Sequence, residues 1–358
     1  MKVWQRAICA AVLSALVASC AGSPKSGSTP QAKAPASALG SQSTLAQVKA
    51  RGVLNCGANT GLAGFGAQGS DGKWYGFDVE FCRAVAAAIF GDATKVAFKP
   101  LSTQERFVAL QSGEVDLLAR NSVWTLSRDT QLGLDFPTVT FYDGQGFMVR
   151  RSSGIASLAQ LKGATVCVQG GTTTEFLLRQ YSRTHNLGIQ ALAFAESARA
   201  RSAYDEARCT AYTTDSSALA AERTGLGDLT AHIILPGLIS KEPLAPAVRQ
   251  GDNQWADILR WVHFAMVIAE EKGIDSAHAD EARNSSQDFE VRRLFGVDGN
   301  MSEGLGLPHD WAYNVIKQVG NYAESFERNF GRATPFGMER GPNALWSKGG
   351  LQFAPPVR

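Results

Sequence analysis

Residues 112–129 read SGEVDLLARNSVWTLSRD, and the fold follows from how this stretch is read. Gly113 makes a turn, and Val115, Leu117 and Leu118 form a short buried strand after it. The apolar run then stops. Arg120, Asn121, Ser122, Thr125, Ser127, Arg128 and Asp129 crowd into a polar segment just past the strand's carboxyl end. In open α/β sheets that rim is where ligands are held. Small polar groups there supply directional hydrogen bonds, and an arginine supplies a planar fork that meets a carboxylate in bidentate fashion. A solvated loop with capping residues is the plainer account of the same residues.

Upstream, residues 53–56 predict a first buried strand, with a Gly-Ala-Asn-Thr-Gly-Leu loop over 57–62 at its end. That loop has neither the lysine of a phosphate-binding loop nor G-x-G-x-x-G spacing, so a nucleotide site is rejected. Asn59 either reaches a ligand or makes an Asx turn. Asp71-Gly72-Lys73 is a hairpin turn. Thr44 is a candidate N-cap for a short helix over 45–51. Val79, Phe81, Cys82, Val85, Ala86 and Ile89 recur at helical spacing over 79–90. A strand over 96–99 and a helix over 105–111 deliver the chain to the opening stretch. Such strand–helix alternation implies a parallel sheet.

Downstream, residues 141–150 contain Gly144 and Gly146 and read as a crossing between lobes. Those glycines can absorb the dihedral changes of a hinge; a β-turn inside one domain is the alternative. The pattern then repeats, with a short helix over 157–161, a strand over 164–168 and Gly-Gly-Thr-Thr-Thr-Glu over 170–175 running into a helix over 176–182. A glycine–threonine turn at a helix N-terminus offers unpaired N–H groups and the positive dipole end to an anion, and one threonine can cap while its neighbour binds. A helix over 197–207 precedes a strand over 208–215, which ends on Asp215, a possible cap for the helix over 216–223. Residues 232–235 and 244–249 read as return strands into the first lobe. Helices follow over 255–271, 288–294 and 309–330, and then a tail held on the surface by Phe336, Leu345, Trp346 and Leu351.

The chain of 358 residues is too long for one ordinary core and predicts two lobes. A hydrophobic content of 44% and a charged content of 19% are those of a globular protein. The net charge of +2, without a clustered basic stripe, argues against a nucleic-acid partner. Lys2 and Arg6 precede an apolar stretch over 7–17 that is short for a bilayer span, and Val-Ala-Ser-Cys over 17–20 resembles a bacterial lipobox. Residues 1–20 are therefore expected to be an export leader, with Cys20 lipidated or, alternatively, a plain signal cut nearby. Residues 21–43, rich in Ser, Pro, Gly and Ala, read as a tether.

The blocks GEVD with RNSVWTLSRD, FYDGQGFMVR over 141–150, VCVQGGTTTE over 166–175 and GFDVEFCRAVA over 76–86 resemble the solute-binding proteins of polar amino-acid ABC importers, most nearly their general L-amino-acid-binding branch. The similarity runs in order from about residue 45 to the C-terminus. It implies an α/β, two-lobe, type II periplasmic-binding-protein fold. Each lobe is a mixed, mostly parallel sheet flanked by helices, and two crossover strands serve as the hinge. The expected division is a first lobe over 45–144, a second over 145–242, a return to the first over 243–330 and a tail over 331–358. Four cysteines lie beyond the leader, and an even number in an oxidising compartment suggests two disulfides, though four reduced thiols are the alternative. Pairing Cys56 with Cys82 and Cys167 with Cys209 keeps each bond within one lobe.

The resemblance assigns Asp215 to a ligand's α-ammonium. An amino acid carries both a carboxylate and an ammonium, and a dry cleft has to neutralise both. Arg128 and the N–H groups at Thr172 and Thr173 suit the carboxylate; Asn121, Ser122 and Asn59 fill remaining positions. Two positions depart from the family pattern, Val123 in place of a hydroxyl residue and Gly170 in place of a threonine; Leu62 stands where narrower-specificity relatives place an aromatic that stacks on the ligand side chain, which favours a permissive pocket. No cofactor and no metal is expected, and the histidines show no metal spacing. The expected partners are a free L-amino acid, of polar or broad type, and the permease subunits, with the protein acting as a monomer. Two rivals share the fold. One is a dehydratase of prephenate or arogenate with Asp215 or Glu175 as general acid. The other is an amino-acid sensor subunit.

Overall fold

A computed structural model describes residues 43–358. The expected leader, the lipidated Cys20 and nearly all of the tether fall on residues 1–42, outside the described residues.

Hydrophobic patterning over the first half produces a parallel sheet in the order Val96–Leu101, Leu54–Asn59, Leu117–Leu118. The central strand runs on to Asn59, three residues past the expected end, because Gly57 and Ala58 are small enough to be buried in register with Lys99 and Pro100. Helix Phe77–Phe90 packs against it. Eleven of its fourteen residues are buried, so burial extends well beyond one stripe. It opens at Gly76, whose φ of 130° and close approach to the Phe65 carbonyl leave no room for a side chain. That start places Asp78 in the first turn, pointing at the sheet's carboxyl rim.

The second sheet has the order Gln190–Phe194, Thr165–Gln169, Ala211–Asp215, Gln145–Arg150, His232–Ile234. Its first three strands are parallel, and Gln145–Arg150 is antiparallel to both neighbours. Here the expected return at 232–235 is corrected: Ile233 and Ile234 pair with Val149 and Met148 and stay in the second lobe. A short apolar run states that it is buried, not in which sheet. The chain returns through Glu242–Leu244, which pairs antiparallel with Phe141–Asp143 to form the two-strand crossover. One disulfide lies in each lobe, Cys56–Cys82 and Cys167–Cys209.

Gly144 in the crossover has a steric requirement for glycine. Its φ is not positive, and an added Cβ would lie 2.6 Å from both Leu238 Cδ1 and the Ser240 carbonyl. Three further expectations are corrected. The first helix, Thr44–Arg51, is capped by Ser43, whose hydroxyl accepts the Ala46 N–H. The helix expected over 309–330 is two, Trp311–Gln318 and Tyr322–Asn329. They are separated by Gly320 in the left-handed region and an Asn321–Glu324 capping box. In the tail, Trp346 and Leu351 are exposed, whereas Leu345, Ala354 and Val357 are buried with Asn343 and Gln352.

Asn343 ties that tail to the crossover. Tyr142 is in register with Pro243, whose carbonyl accepts the Trp124 N–H and so points away from it. Asn343 instead accepts the Tyr142 N–H at 2.7 Å and donates to the Tyr142 carbonyl at 2.9 Å. Asn343→Ala leaves both backbone groups without that partner and is expected to cost about 2 kcal/mol. The measurement is the urea midpoint at constant m-value, and an unchanged midpoint would show that the bracket contributes nothing.

Candidate ligand-binding cleft

The polar segment after Leu118 sits where an open sheet holds ligands, and the second lobe faces it. Two adjoining cavities lie between them. The inner one, of about 30 Å³, is lined by Arg106, Arg120, Asn121, Arg128, Thr172, Thr173 and Asp215, among others. The outer one, of about 670 Å³, shares Val123, Arg128, Thr172 and Thr173 and adds Trp124, Phe176 and Glu242. Across the gap Gln169 Nε2 donates to Thr103 Oγ1 at 2.9 Å, so the lobes touch. The inner volume suits about two water molecules.

Of the residues expected from sequence, Arg128, Asp215, Thr172, Thr173 and Asn121 converge on the inner cavity. Thr125 caps helix Leu126–Gln131, and this first turn carries Arg128 inward. The Arg128 guanidinium is buried, donates from Nη1 to the Val123 carbonyl at 2.7 Å and lies over the Phe107 ring. Burial lowers its pKa, opposed by the charges of Glu242 and Asp215. Val123 thus contributes through its backbone to holding the arginine. Thr172 caps helix Thr173–Thr184, accepting the Glu175 N–H, while the Thr173 hydroxyl donates to Glu242 Oε2 at 3.2 Å. Gly170 donates its N–H to the Phe194 carbonyl, and Gly171 beside it, with φ 72°, donates its N–H to Glu175.

Asp215 ends strand Ala211–Asp215 at the N-cap position of helix Ser216–Arg223, yet its side chain makes no capping bond. It is 5% exposed, and its buried Oδ1 has no hydrogen-bond partner. Burial, then the nearby carboxyls of Asp143 and Glu242, push its pKa well above the usual carboxylate value; Arg128 and Arg106 pull the other way. A buried acceptor without a donor is costly, and a cationic donor in the cavity would relieve that cost.

Asn59 and Ser122 line neither cavity and stand behind the wall. Asn59 accepts the Gly61 N–H in an Asx turn and donates to Asn121 Oδ1 at 2.8 Å, steadying a residue whose φ is 32°. Ser122 accepts from Arg106 Nη1 and donates to the Arg120 carbonyl. Leu62 is packed in the first lobe's core and does not reach the cleft.

Three residues of the cavity walls, Arg106, Arg120 and Glu242, lie outside the expected set, and Asp78 supports them from behind. Asp78 Oδ2 accepts the Asn121 N–H at 2.6 Å, and burial raises its pKa to about 7 against that bond and Arg120. Glu242, on the returning crossover strand, is buried beside Thr173 and Arg128. Arg120 belongs to the polar segment after Leu118, and its Nε donates to the Leu101 carbonyl at 2.8 Å. Arg106 shares the buried face of its helix with Ala109 and Leu110. An arginine on an apolar helix face is the signal that was available for it. Among the described residues no group of His, Cys, Asp and Glu is arranged to hold a metal ion.

The sequence model of the bacterial extracellular solute-binding proteins, family 3, matches residues 54–274. The chain is 53% identical over 320 residues to the general L-amino acid-binding periplasmic protein AapJ of Rhizobium johnstonii, covering 89% of this chain and 94% of the relative. It is 51% identical over 318 residues to the glutamate/glutamine/aspartate/asparagine-binding protein BztA of Rhodobacter capsulatus, with 89% and 94% covered. Among solved structures, an ABC transporter periplasmic binding protein from Brucella ovis with glutathione bound superposes at a TM-score of 0.86. It is 51% identical, with 88% of this chain and 100% of that chain covered.

Proposed function

We propose, from the premise that this chain belongs to family 3 of the bacterial extracellular solute-binding proteins, that it is the ligand-receiving component of an ABC importer for free L-amino acids. The observation that carries this reading is the meeting of opposite charges from opposite lobes. Arg128 comes from the first lobe, Asp215 and the N-terminus of helix Thr173–Thr184 from the second, and all line one cavity. A zwitterion bridging them draws the lobes together, so affinity and closure are one free energy. The closed form docks on the permease as a monomer. Cys20 carries the lipid that tethers the exported protein, and among the described residues no helix is long and apolar enough to cross a membrane.

The dehydratase reading is not favoured. Glu175 accepts from the Gly171 N–H and pairs with Arg179, which lowers its pKa and makes it a poor general acid; Asp215, whose pKa is raised, keeps the character of an acid, so the choice between the two readings falls to the relatives. The relatives at about half identity are named as binding proteins. A thermal-shift panel across the natural amino acids is expected to raise the melting temperature for several of them. The stabilisation is about 2.7 kcal/mol at a free concentration one hundred times the dissociation constant. A panel without a single shift would overturn the proposed function.

A further inference from the structure

The first lobe holds another cavity, of about 350 Å³, which shares no lining residue with either cavity of the cleft. All of its lining except Asp257 and Trp261 lies beyond residue 274, where the match to the family's sequence model ends. Trp261 of helix Asn253–Glu271 and Trp311 of helix Trp311–Gln318 line it together with Leu294, Met301 and Leu305, so its walls are largely apolar. The end of the tail completes them, held there by the Val357 N–H, which donates to Glu290 Oε1 at 2.9 Å. The polar groups of the cavity are almost all donors. Its one acid, Asp257, is already paired with Arg260. Arg293 lies over the Phe289 ring, yet among the described residues its guanidinium has neither a hydrogen bond nor an ion pair. Among the same residues neither indole N–H, of Trp261 or of Trp311, has an acceptor.

We propose that this cavity is a second binding site, for a small organic acid that has an apolar, ring-sized body and no amino group. Unpaired donors with no unpaired acceptor select an anion, and a carboxylate on the Arg293 guanidinium forms the charge-assisted, bidentate class of hydrogen bond. An apolar body laid against the two indoles, Met301 and Leu305 leaves water for a surface that offers both aromatic and thioether contacts. An ammonium finds no free acid, because Asp257 is taken by Arg260, so the zwitterions suited to the cleft are disfavoured here. The volume falls within the range of roughly 300–1,000 Å³ usual for small-molecule sites. The proposal is independent of the proposed function, since no residue of the cleft enters it.

The test is calorimetry with phenylacetate, 2-phenylethanol and 2-phenylethylamine, which share a ring and a two-carbon arm and differ in charge. They are titrated into the wild type, Arg293→Gln, Met301→Glu and Arg128→Ala, each checked for folding by its melting temperature. Met301 is 43% exposed, so a glutamate there adds a like charge beside the ligand without disturbing the core. The wild type is expected to bind phenylacetate with a dissociation constant of about 1 mM or tighter, about tenfold tighter than the alcohol, and to bind the amine weakest. Arg293→Gln and Met301→Glu should each weaken phenylacetate by about tenfold or more, whereas Arg128→Ala, altered only in the cleft, should bind it as the wild type does. Equal affinity for acid, alcohol and amine would overturn the proposal, and so would no heat at all with phenylacetate. Loss of phenylacetate binding in Arg128→Ala but not in Arg293→Gln would place the acid in the cleft and overturn it as well. A thermal-shift panel with no response to amino acids removes the proposed function and leaves this site to stand or fall on its own titrations.

Discussion

Arg128→Ala is expected to weaken amino-acid binding by about two to four orders of magnitude, roughly 3–5 kcal/mol, because it strands a carboxylate in a closed, dry cleft. The physical reason lies in how the arginine is held. Nη1 is fixed by the Val123 carbonyl and the guanidinium plane by the Phe107 ring, so its orientation is set before ligand arrives. Arg128→Lys keeps the charge but loses the planar fork and the stacking, and should also bind weakly. Calorimetry that finds near-wild-type affinity in Arg128→Ala would remove Arg128 from the site.

Asp215→Asn should lower affinity by a similar 3–5 kcal/mol, since the ligand's ammonium loses the carboxylate of the inner cavity. Its effect on stability is expected to have the opposite sign. The Asp215 carboxyl has its folded pKa raised, by burial first and by Asp143 and Glu242 after it. A carboxyl of that kind favours the folded state only while protonated. Its ionisation therefore costs stability as pH rises above the unfolded value of about 3.9 and through the folded value. Removing it should raise the melting temperature of the ligand-free protein, increasingly so toward neutral pH, while amino acids cease to shift it. Binding sites store such unfavourable groups because the ligand resolves them. A variant that is both less stable without ligand and normal in affinity would contradict both halves.

The cleft's legibility in the sequence was uneven, and in an instructive way. Arg128 and Asn121 could be read because polar residues follow an apolar strand without interruption, and that contrast is local. Thr172 and Thr173 were readable from helix-capping chemistry. Asp215 was ambiguous in isolation: a carboxylate before a helix is ordinarily a cap, and only the resemblance gave it to a ligand. The structure leaves its side chain without a capping bond and Oδ1 without a partner. Asn59 and Ser122 were polar residues in plausible places, but their hydrogen bonds are spent inside the first lobe. Arg106 and Glu242 are not legible because each sits in a segment whose pattern says only "buried helix" or "return strand".

By itself the sequence determined the α/β alternation, the division into two lobes and the polar rim, since each depends on periodicity or contrast over a few residues. Tertiary structure alone decided which charges share a volume. Arg106 faces Asp215, 109 positions later, and Asn343 brackets Tyr142 from the far end of the chain. The energy of a charge or a hydrogen bond depends on distance and on the exclusion of water, and neither quantity is carried by the order of residues until the chain has closed on itself.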